Sequence, residues 1–280
     1  METVKELRTM LQQEKVAPRG WSRPLGYYAF QRFPSIYITR LLLPTRITPN
    51  QITLLGFIIG LLGCIFIFQF AWHYKLIGVG LLYLNVLLDK VDGEIARYKK
   101  IYSLRGIYLD YTNHLVIPPL TILSTTFGIA PISLFYPIIL IIFGIAAALA
   151  MIMLRVQQNL AEIIFVKKYL HQREIFSLQE TASGSIAEVR QKYPLLGTAA
   201  WLFHHIQEHF IQLIILALTI IGERVFLLDF VFHPLVSWFI VILGILLSAI
   251  VLENVLKGWI SINSRVVELE RKTQGQGLIN

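Results

Sequence analysis

The sequence predicts an all-α fold: a polytopic membrane bundle of six transmembrane helices with an amphipathic helix in the interface at its N-terminus. Three observations predict it. Of 280 residues, 55% are hydrophobic and only 15% charged, and mean hydropathy is +0.62; helical membrane proteins have such values and soluble domains do not. The apolar residues fall into separate runs of near-span length, without the ten-residue alternation of a membrane barrel. Basic residues are distributed asymmetrically between those runs, as in chains oriented by their positive loops.

The first twenty residues, METVKELRTMLQQEKVAPRG, are polar and charged. They read as no cleavable signal peptide, which leaves insertion to the first span. In LGYYAFQRFPSIYITRLLLPTRITPN, Tyr27, Tyr28, Phe30, Phe33 and Tyr37 alternate with Arg32 and Arg40, the pattern of an interfacial helix broken or kinked at Pro34. Thr48-Pro49-Asn50 then offers helix-cap residues. The first span, Ile52 to Phe70, is uncharged, and its glycines from Gly56 to Gly63 read as packing positions. The second starts near Leu76, and its apolar run ends at Leu88. That run rises only about 20 Å against a hydrocarbon core of about 30 Å, so the helix has to continue through Asp89 and Asp92. The third runs from Gly106 to about Thr126, the fourth from Ile132 to Leu154 and the sixth from Pro234 to Leu252. The fifth is the weakest: its apolar core, Phe210 to Ile221, borrows from the preceding HHIQEH, and a five-helix layout is the alternative.

The segment before Ile52 holds eight Lys and Arg, the 97–105 turn four, the 155–205 stretch six and the C-terminal end four, against only Lys75 and Arg224 on the other side. This places both termini in the cytoplasm and requires an even number of spans. The chain divides into a cytoplasmic N-terminus with the interfacial helix (1–47), a six-helix transmembrane catalytic domain (48–260) and a cytoplasmic tail (261–280). Within the second lies a long cytoplasmic loop, 157–205, that mixes a charged helical piece, NLAEIIFVKKYLHQRE, with a TASGS stretch. Beyond Arg271 the tail reads as disordered. The net charge of +8 fits contact with anionic lipid. Nucleic acid is excluded as a partner, because the basic residues form no compact module. Cys64 is the single cysteine, which excludes an internal disulfide and a cysteine metal site.

The chemistry concentrates in LLDKVDGEIARYKKIYSLRGIYLDYTNH. Charged side chains at membrane depth cost several kcal/mol or more unless paired, solvated or metal-bound, so Asp89, Asp92 and Asp110 read as functional. Asp89, Asp92, Gly93 and Ala96 share one helical stripe, and Gly106, Asp110 and His114 step by four along another. The short turn from Tyr98 to Arg105 makes the two helices antiparallel neighbours, with all four polar groups at one depth near the cytoplasmic face. Converging carboxylates resist ionising together; a hard divalent cation, Mg²⁺ or Mn²⁺, resolves this. Gly93, Ala96 and Gly106 leave room for a ligand or for close backbone approach. Arg97 can fork onto a phosphate, and Lys99, Lys100 and Arg105 ring the entrance. Lys90 is set on a different face from the acids. HHIQEH offers His204 with Glu208 and His205 with His209 at i,i+4, read as a polar interfacial band rather than a metal site. Arg155 reads as a positive anchor at the end of the fourth span, with the alternative that it faces a charge on the acceptor alcohol.

In register, Asp-x2-Asp-Gly-x2-Ala-Arg-x8-Gly-x3-Asp from Asp89 to Asp110 resembles the signature of the CDP-alcohol phosphotransferases, and TPNQIT at 48–53 resembles the lead-in to that family's first span. The resemblance implies a metal-dependent enzyme of phospholipid synthesis, a homodimer, that moves a phosphatidyl or other substituted phosphoryl group from a CDP-alcohol to an acceptor alcohol and releases CMP. It implies Asp89, Asp92 and Asp110 as metal ligands, with Gly93, Ala96, Arg97 and Gly106 bordering the nucleotide. Size favours CDP-diacylglycerol as donor. Where the family's last Asp would stand, this chain has His114. Its ordinary pKa suits a general base, and it is the candidate base beside Asp110; it also removes a carboxylate from a second metal site. The alternatives are a non-catalytic relative that binds nucleotide or lipid, and a cation- or proton-coupled transporter, which broken helices and midplane acids would favour.

Overall fold

The computed structural model describes residues 2–16, 27–132, 137–169, 205–206, 208–226 and 234–275. Among them every regular element is helical: α1 (Val4–Val16), a π-helical turn (Tyr27–Arg32), α2 (Phe33–Leu42), α3 (Pro49–Phe68), α4 (Trp72–Lys99), α5 (Leu104–Ile129) with a 3₁₀ turn after it, α6 (Pro137–Tyr169), α7 (His209–Phe226) and α8 (Pro234–Gly275). Among the described residues, three helices contain segments long and apolar enough to cross a bilayer, Pro49–Phe68, Pro137–Gln158 and Leu235–Leu256, and they mark a membrane protein. They coincide with the first, fourth and sixth expected spans.

α3 begins where its sequence says it should. Thr48 and Gln51 form a reciprocal capping box, with Gln51 N–H donating to Thr48 Oγ1 at 3.4 Å and Thr48 N–H to Gln51 Oε1 at 2.9 Å. Pro49 occupies the first turn, where a missing N–H costs nothing. One face of α3 is a lipid-type stripe, with Leu54, Leu55, Ile58, Leu62 and Ile65 exposed. The other carries Gly56, Gly60 and Gly63, against which α4 and α5 lie. α4 runs unbroken through Asp89 and Asp92, as its short apolar run requires. Its 28 residues reach about 42 Å at 1.5 Å each. It ends at Lys100, in the left-handed conformation (φ 53°), and Ile101 N–H returns to the Ala96 carbonyl. Ser103 then caps α5 by accepting from Gly106 N–H at 3.0 Å. Pro118 and Pro119 sit inside α5, so the carbonyls of His114 and Leu115 lose their helical donors.

Several expectations are corrected. α4 and α5 are not direct backbone neighbours; both lean on α3, and they meet through side chains. Lys75 is not a loop charge. It is fully buried, and its ammonium donates to the carbonyls of Ile67 and Gln69 at the end of α3. The helical piece assigned to the 157–205 loop begins as the continuation of α6 to Tyr169, and α8 continues past Arg271 to Gly275. The rest of that loop lies outside the described residues. The polar N-terminus, for which no element was expected, forms α1, whose Leu7 and Leu11 pack on Ile36 of α2. The break expected at Pro34 falls one residue earlier, where the π-helical turn gives way to α2 with Pro34 in its first turn. α7 is helical from His209 to Phe226 and contacts α4 and α8.

Candidate functional site

Asp89 leaves α4 four residues after Asn85, on the face turned toward α5. Its Oδ1 lies 3.0 Å from His114 Nε2, and Asp110 Oδ1 lies 3.4 Å from the same nitrogen. Carboxylates only accept, so Nε2 carries the hydrogen; in the neutral tautomer the lone pair is then on Nδ1. Asp89 is nearly buried, while Asp110 is about half exposed (46%) and His114 35% exposed. The second oxygen of Asp89 pairs with Lys90. This corrects the expectation that Lys90 faces elsewhere: its four methylenes let it curl back onto its neighbour.

Among the described residues, Asp89, Asp110 and His114 each offer one ligand atom, all within 4.8 Å of one another. Two carboxylate oxygens at this separation fit a hard divalent cation such as Mg²⁺ or Mn²⁺, and the imidazole would join them only through a nitrogen free of hydrogen. Asp92 is not part of this group. Its buried carboxylate accepts from Thr53 of α3 at 2.6 Å, which ties α4 to α3 just below the cluster.

Gly106 owes its identity to close approach: a Cβ there would lie 2.5 Å from Asn50 Oδ1, the atom that accepts from Ser103 at 3.0 Å. Gly93 leaves space into which the Arg97 guanidinium folds, 3.4 Å from an ideal Cβ. Arg97 Nε donates to the Leu11 carbonyl of α1 at 3.2 Å. Ala96 accepts with its carbonyl at the end of α4. Lys99 is committed to the carbonyls of Thr45 and Ile47, so it holds the lead-in to α3 and not the entrance.

The sequence reading missed a buried carboxylate between Gly93 and Ala96. Glu94 is fully buried and paired with Arg32 at 3.2 Å. It also accepts from Gln12 (2.8 Å), Ser35 (2.7 Å) and Thr39 (2.6 Å). The N-terminal helices are thereby anchored to the motif. At the outer end of this contact, Tyr98 donates to Glu2 at 2.7 Å and holds that carboxylate below its ordinary range.

A cavity of about 150 Å³ opens beside Asp89 and His114. Asn85 and Asn113 line its α4 and α5 walls, Met151, Leu154 and Arg155 its α6 wall, and His209 and Phe210 its α7 wall, with Gln31 of the π-helical turn also present. Arg155 turns inward, its guanidinium 5.7 Å from the centre of the Tyr111 ring, and is not simply an outward anchor. Of the HHIQEH stretch, Glu208 and His209 line the cavity, His205 is buried, and His204 lies outside the described residues. Asn85 was legible in hindsight: it extends the Asp89–Asp92 stripe back by one turn.

Fold and site together define a helical membrane protein with an acid–histidine cluster beside a cavity. The chain belongs to the CDP-alcohol phosphatidyltransferase family, whose model matches residues 46–246, from the α3 cap into α8; α1 and α2 lie outside the match. Comparison with curated proteins returns no match. Members of the family transfer a substituted phosphoryl group from a CDP-alcohol.

Proposed function

We propose that this chain transfers a phosphatidyl or related phosphoryl group from a CDP-alcohol, with CDP-diacylglycerol as donor, to an acceptor alcohol in phospholipid synthesis. The observation that carries the reading is the convergence of Asp89, Asp110 and His114 beside the cavity. A bound Mg²⁺ or Mn²⁺ supplies charge neutralisation for the donor's pyrophosphate. Asp89 and Asp110 hold the cation, with Asp92 one turn along α4 as a further carboxylate toward it. Gly93, Ala96 and Gly106 border the nucleotide, and Arg97, held by Leu11, faces its phosphates. The acceptor oxygen forms a bond to the β-phosphorus while the bond from that phosphorus to the bridging oxygen breaks. CMP leaves with the bridging oxygen and its electron pair. The acceptor proton goes to His114, whose Nδ1 lone pair follows from the Nε2–H engaged by Asp89. In this reading the chain crosses the bilayer six times, keeps both termini and the site in the cytoplasm, and forms a homodimer.

The transport alternative expects helices broken at the acids; α4 and α5 run continuously through them, which favours the transferase. The test is CMP release from CDP-diacylglycerol by the purified protein with Mn²⁺ or Mg²⁺ across a panel of alcohols, compared with Asp110→Asn. Release that requires the cation and is lost in the variant supports the reading. Equal release by both proteins sinks it.

A further inference from the structure

We infer that α1 is a working part of the donor site: the Leu11 carbonyl positions Arg97 for the nucleotide's phosphates, so docking of α1 and binding of the nucleotide strengthen each other. This rests on the transferase reading above. The family match begins at residue 46, so the match itself assigns α1 no role.

The contact runs along one stripe of α4. Arg97 and Tyr98 follow Glu94 by three and four residues, which puts all three on one helical face. Each is bonded to α1 or to the segment leading into it. Gln12 donates to Glu94 at 2.8 Å, Arg97 Nε donates to the Leu11 carbonyl at 3.2 Å, and Tyr98 donates to Glu2 at 2.7 Å. Beside these ties, the buried Leu7 and Leu11 pack against Ile36 of α2, with Val4 and Tyr98 alongside. α1 therefore docks as a unit, through three polar ties and an apolar patch.

Of the three ties, only the one through Arg97 reaches a residue that meets the nucleotide in the proposed reaction. Glu94 is given over to Arg32, Gln12, Ser35 and Thr39, and Tyr98 to Glu2. Gly93, one turn before Arg97, has no side chain, and Arg97 Nη1 lies 3.4 Å from where a Cβ would stand. The guanidinium is thus set between Gly93 and α1. A carbonyl oxygen has two lone pairs, so Leu11 can accept from Arg97 and still serve its own helix. A long side chain loses rotamer freedom when it grips a ligand. Arg97 gives up part of that freedom to α1 before a nucleotide arrives, and such preorganisation strengthens binding.

The coupling is reciprocal. If docked α1 raises nucleotide affinity by some factor, bound nucleotide favours docked α1 by the same factor. A purely structural α1 would stabilise the fold and leave the nucleotide affinity of the folded protein unchanged. That difference separates a positioning role from a packing role.

The experiment uses the full chain in nanodiscs, with CMP and Mn²⁺ as the probe. Hydrogen exchange of residues 2–16 is measured with and without the probe, in the wild type and in Arg97→Met. The CMP concentration for half-maximal thermal stabilisation in saturating Mn²⁺ is measured in four proteins: wild type, Leu7→Asp, Leu7→Met and the double variant Leu7→Asp with Arg97→Met. Leu7→Asp puts a charge into the buried patch and undocks α1; Leu7→Met keeps the patch apolar. The expected result is several-fold slower exchange of residues 2–16 when CMP and Mn²⁺ bind the wild type, and no such slowing in Arg97→Met. Leu7→Asp should raise the CMP concentration by about tenfold, the scale of one side chain's ordering, and Leu7→Met should restore it. In the double variant the loss should be no greater than in Arg97→Met alone. With CDP-diacylglycerol, Leu7→Asp should raise donor KM more than it lowers kcat. Stabilisation by CMP and Mn²⁺ with unchanged exchange in residues 2–16 overturns the inference and leaves the transferase reading standing, and it needs no α1 variant to fold. Equal losses from Leu7→Asp with and without Arg97 also overturn it, because α1 would then act by another route. So does tighter CMP binding by Leu7→Asp, which would mean that α1 holds Arg97 away from the nucleotide. No stabilisation of the wild type and no CMP release with any alcohol overturns both readings.

Discussion

His114 Nε2 on α5 lies 3.0 Å from Asp89 Oδ1 on α4, although the two helices share little backbone contact. The contact sets a hydrogen on Nε2 through an acceptor-only partner, which in the neutral ring leaves Nδ1 as the proposed base. The chain thus carries a carboxylate-oriented histidine where its relatives' signature has a fourth aspartate. Replacing His114 with Gln removes the base and keeps a side chain able to donate to Asp89. The expected outcome is a fall in CMP-release kcat of about 10²–10⁴-fold, with nucleotide and Mn²⁺ binding retained. His114→Asp restores the family's carboxylate and is expected to preserve or raise the rate. A His114→Gln enzyme at full rate would rule out His114 as base.

Lys90 and an incoming cation compete for Asp89. The ammonium already neutralises one oxygen of that carboxylate, and it has to yield or share when a divalent ion arrives. Lys90→Met keeps the stem and removes the charge. The Mn²⁺ concentration that gives half-maximal stabilisation in saturating CMP is expected to drop several-fold, since a like charge at close range is gone. At about 100 times Kd the ligand adds roughly 2.7 kcal/mol, a shift that thermal melts resolve. A rise in the required Mn²⁺ would instead show Lys90 helping to hold the nucleotide.

Local signals were legible in the sequence where they are self-contained. The Thr48 cap is four residues long, and the continuation of α4 through Asp89 follows from rise per residue alone. The acid–histidine cluster follows from i,i+4 spacing on two segments joined by a short turn. Partners from distant elements were not legible. Glu94 looks like a solvated motif residue until Gln12, Arg32, Ser35 and Thr39 are folded over it. Lys90 was misplaced because a helical wheel fixes Cβ and not a flexible ammonium. Asp92 also accepts from Thr53, a tie to a third helix that no spacing within the motif reveals. His209 shares no helix with the motif, so only tertiary packing brings it to the cavity.

Glu94 links the part of the chain outside the family match to the signature itself. Its carboxylate is fully buried against Arg32 and three neutral donors, so Glu94→Ala removes the acceptor that these four buried side chains share. Removing one partner of such a pair costs about 3–5 kcal/mol. A marked drop in melting temperature is expected, along with easier proteolysis of the first forty residues. Glu94→Gln, which still accepts from the hydroxyls, should lose less. Equal melting temperatures for Glu94→Ala and wild type would mean that the N-terminal helices dock by apolar contact alone.

Gly78 and Gly80 sit two residues apart on α4 and face opposite demands. A Cβ at Gly78 would lie 2.7 Å from the Gly63 carbonyl oxygen and 2.8 Å from the Ile67 nitrogen. Both are backbone atoms of α3, which cannot swing aside as a side chain does. A Cβ at Gly80 meets nothing within 4 Å. Gly78→Ala is therefore expected to push α3 from α4 and cost about 1–3 kcal/mol, as overpacking does. Asn85, two turns along the same helix face, donates to the Gly56 carbonyl across this contact, so the cavity wall should loosen with it. Gly80→Ala gains helix propensity of about 0.5–1 kcal/mol and should leave acceptor KM unchanged. Melting temperature and acceptor KM measured on both variants separate the two sites; a tolerated Gly78→Ala would show that the α3–α4 crossing is looser than the close approach at Gly63 indicates.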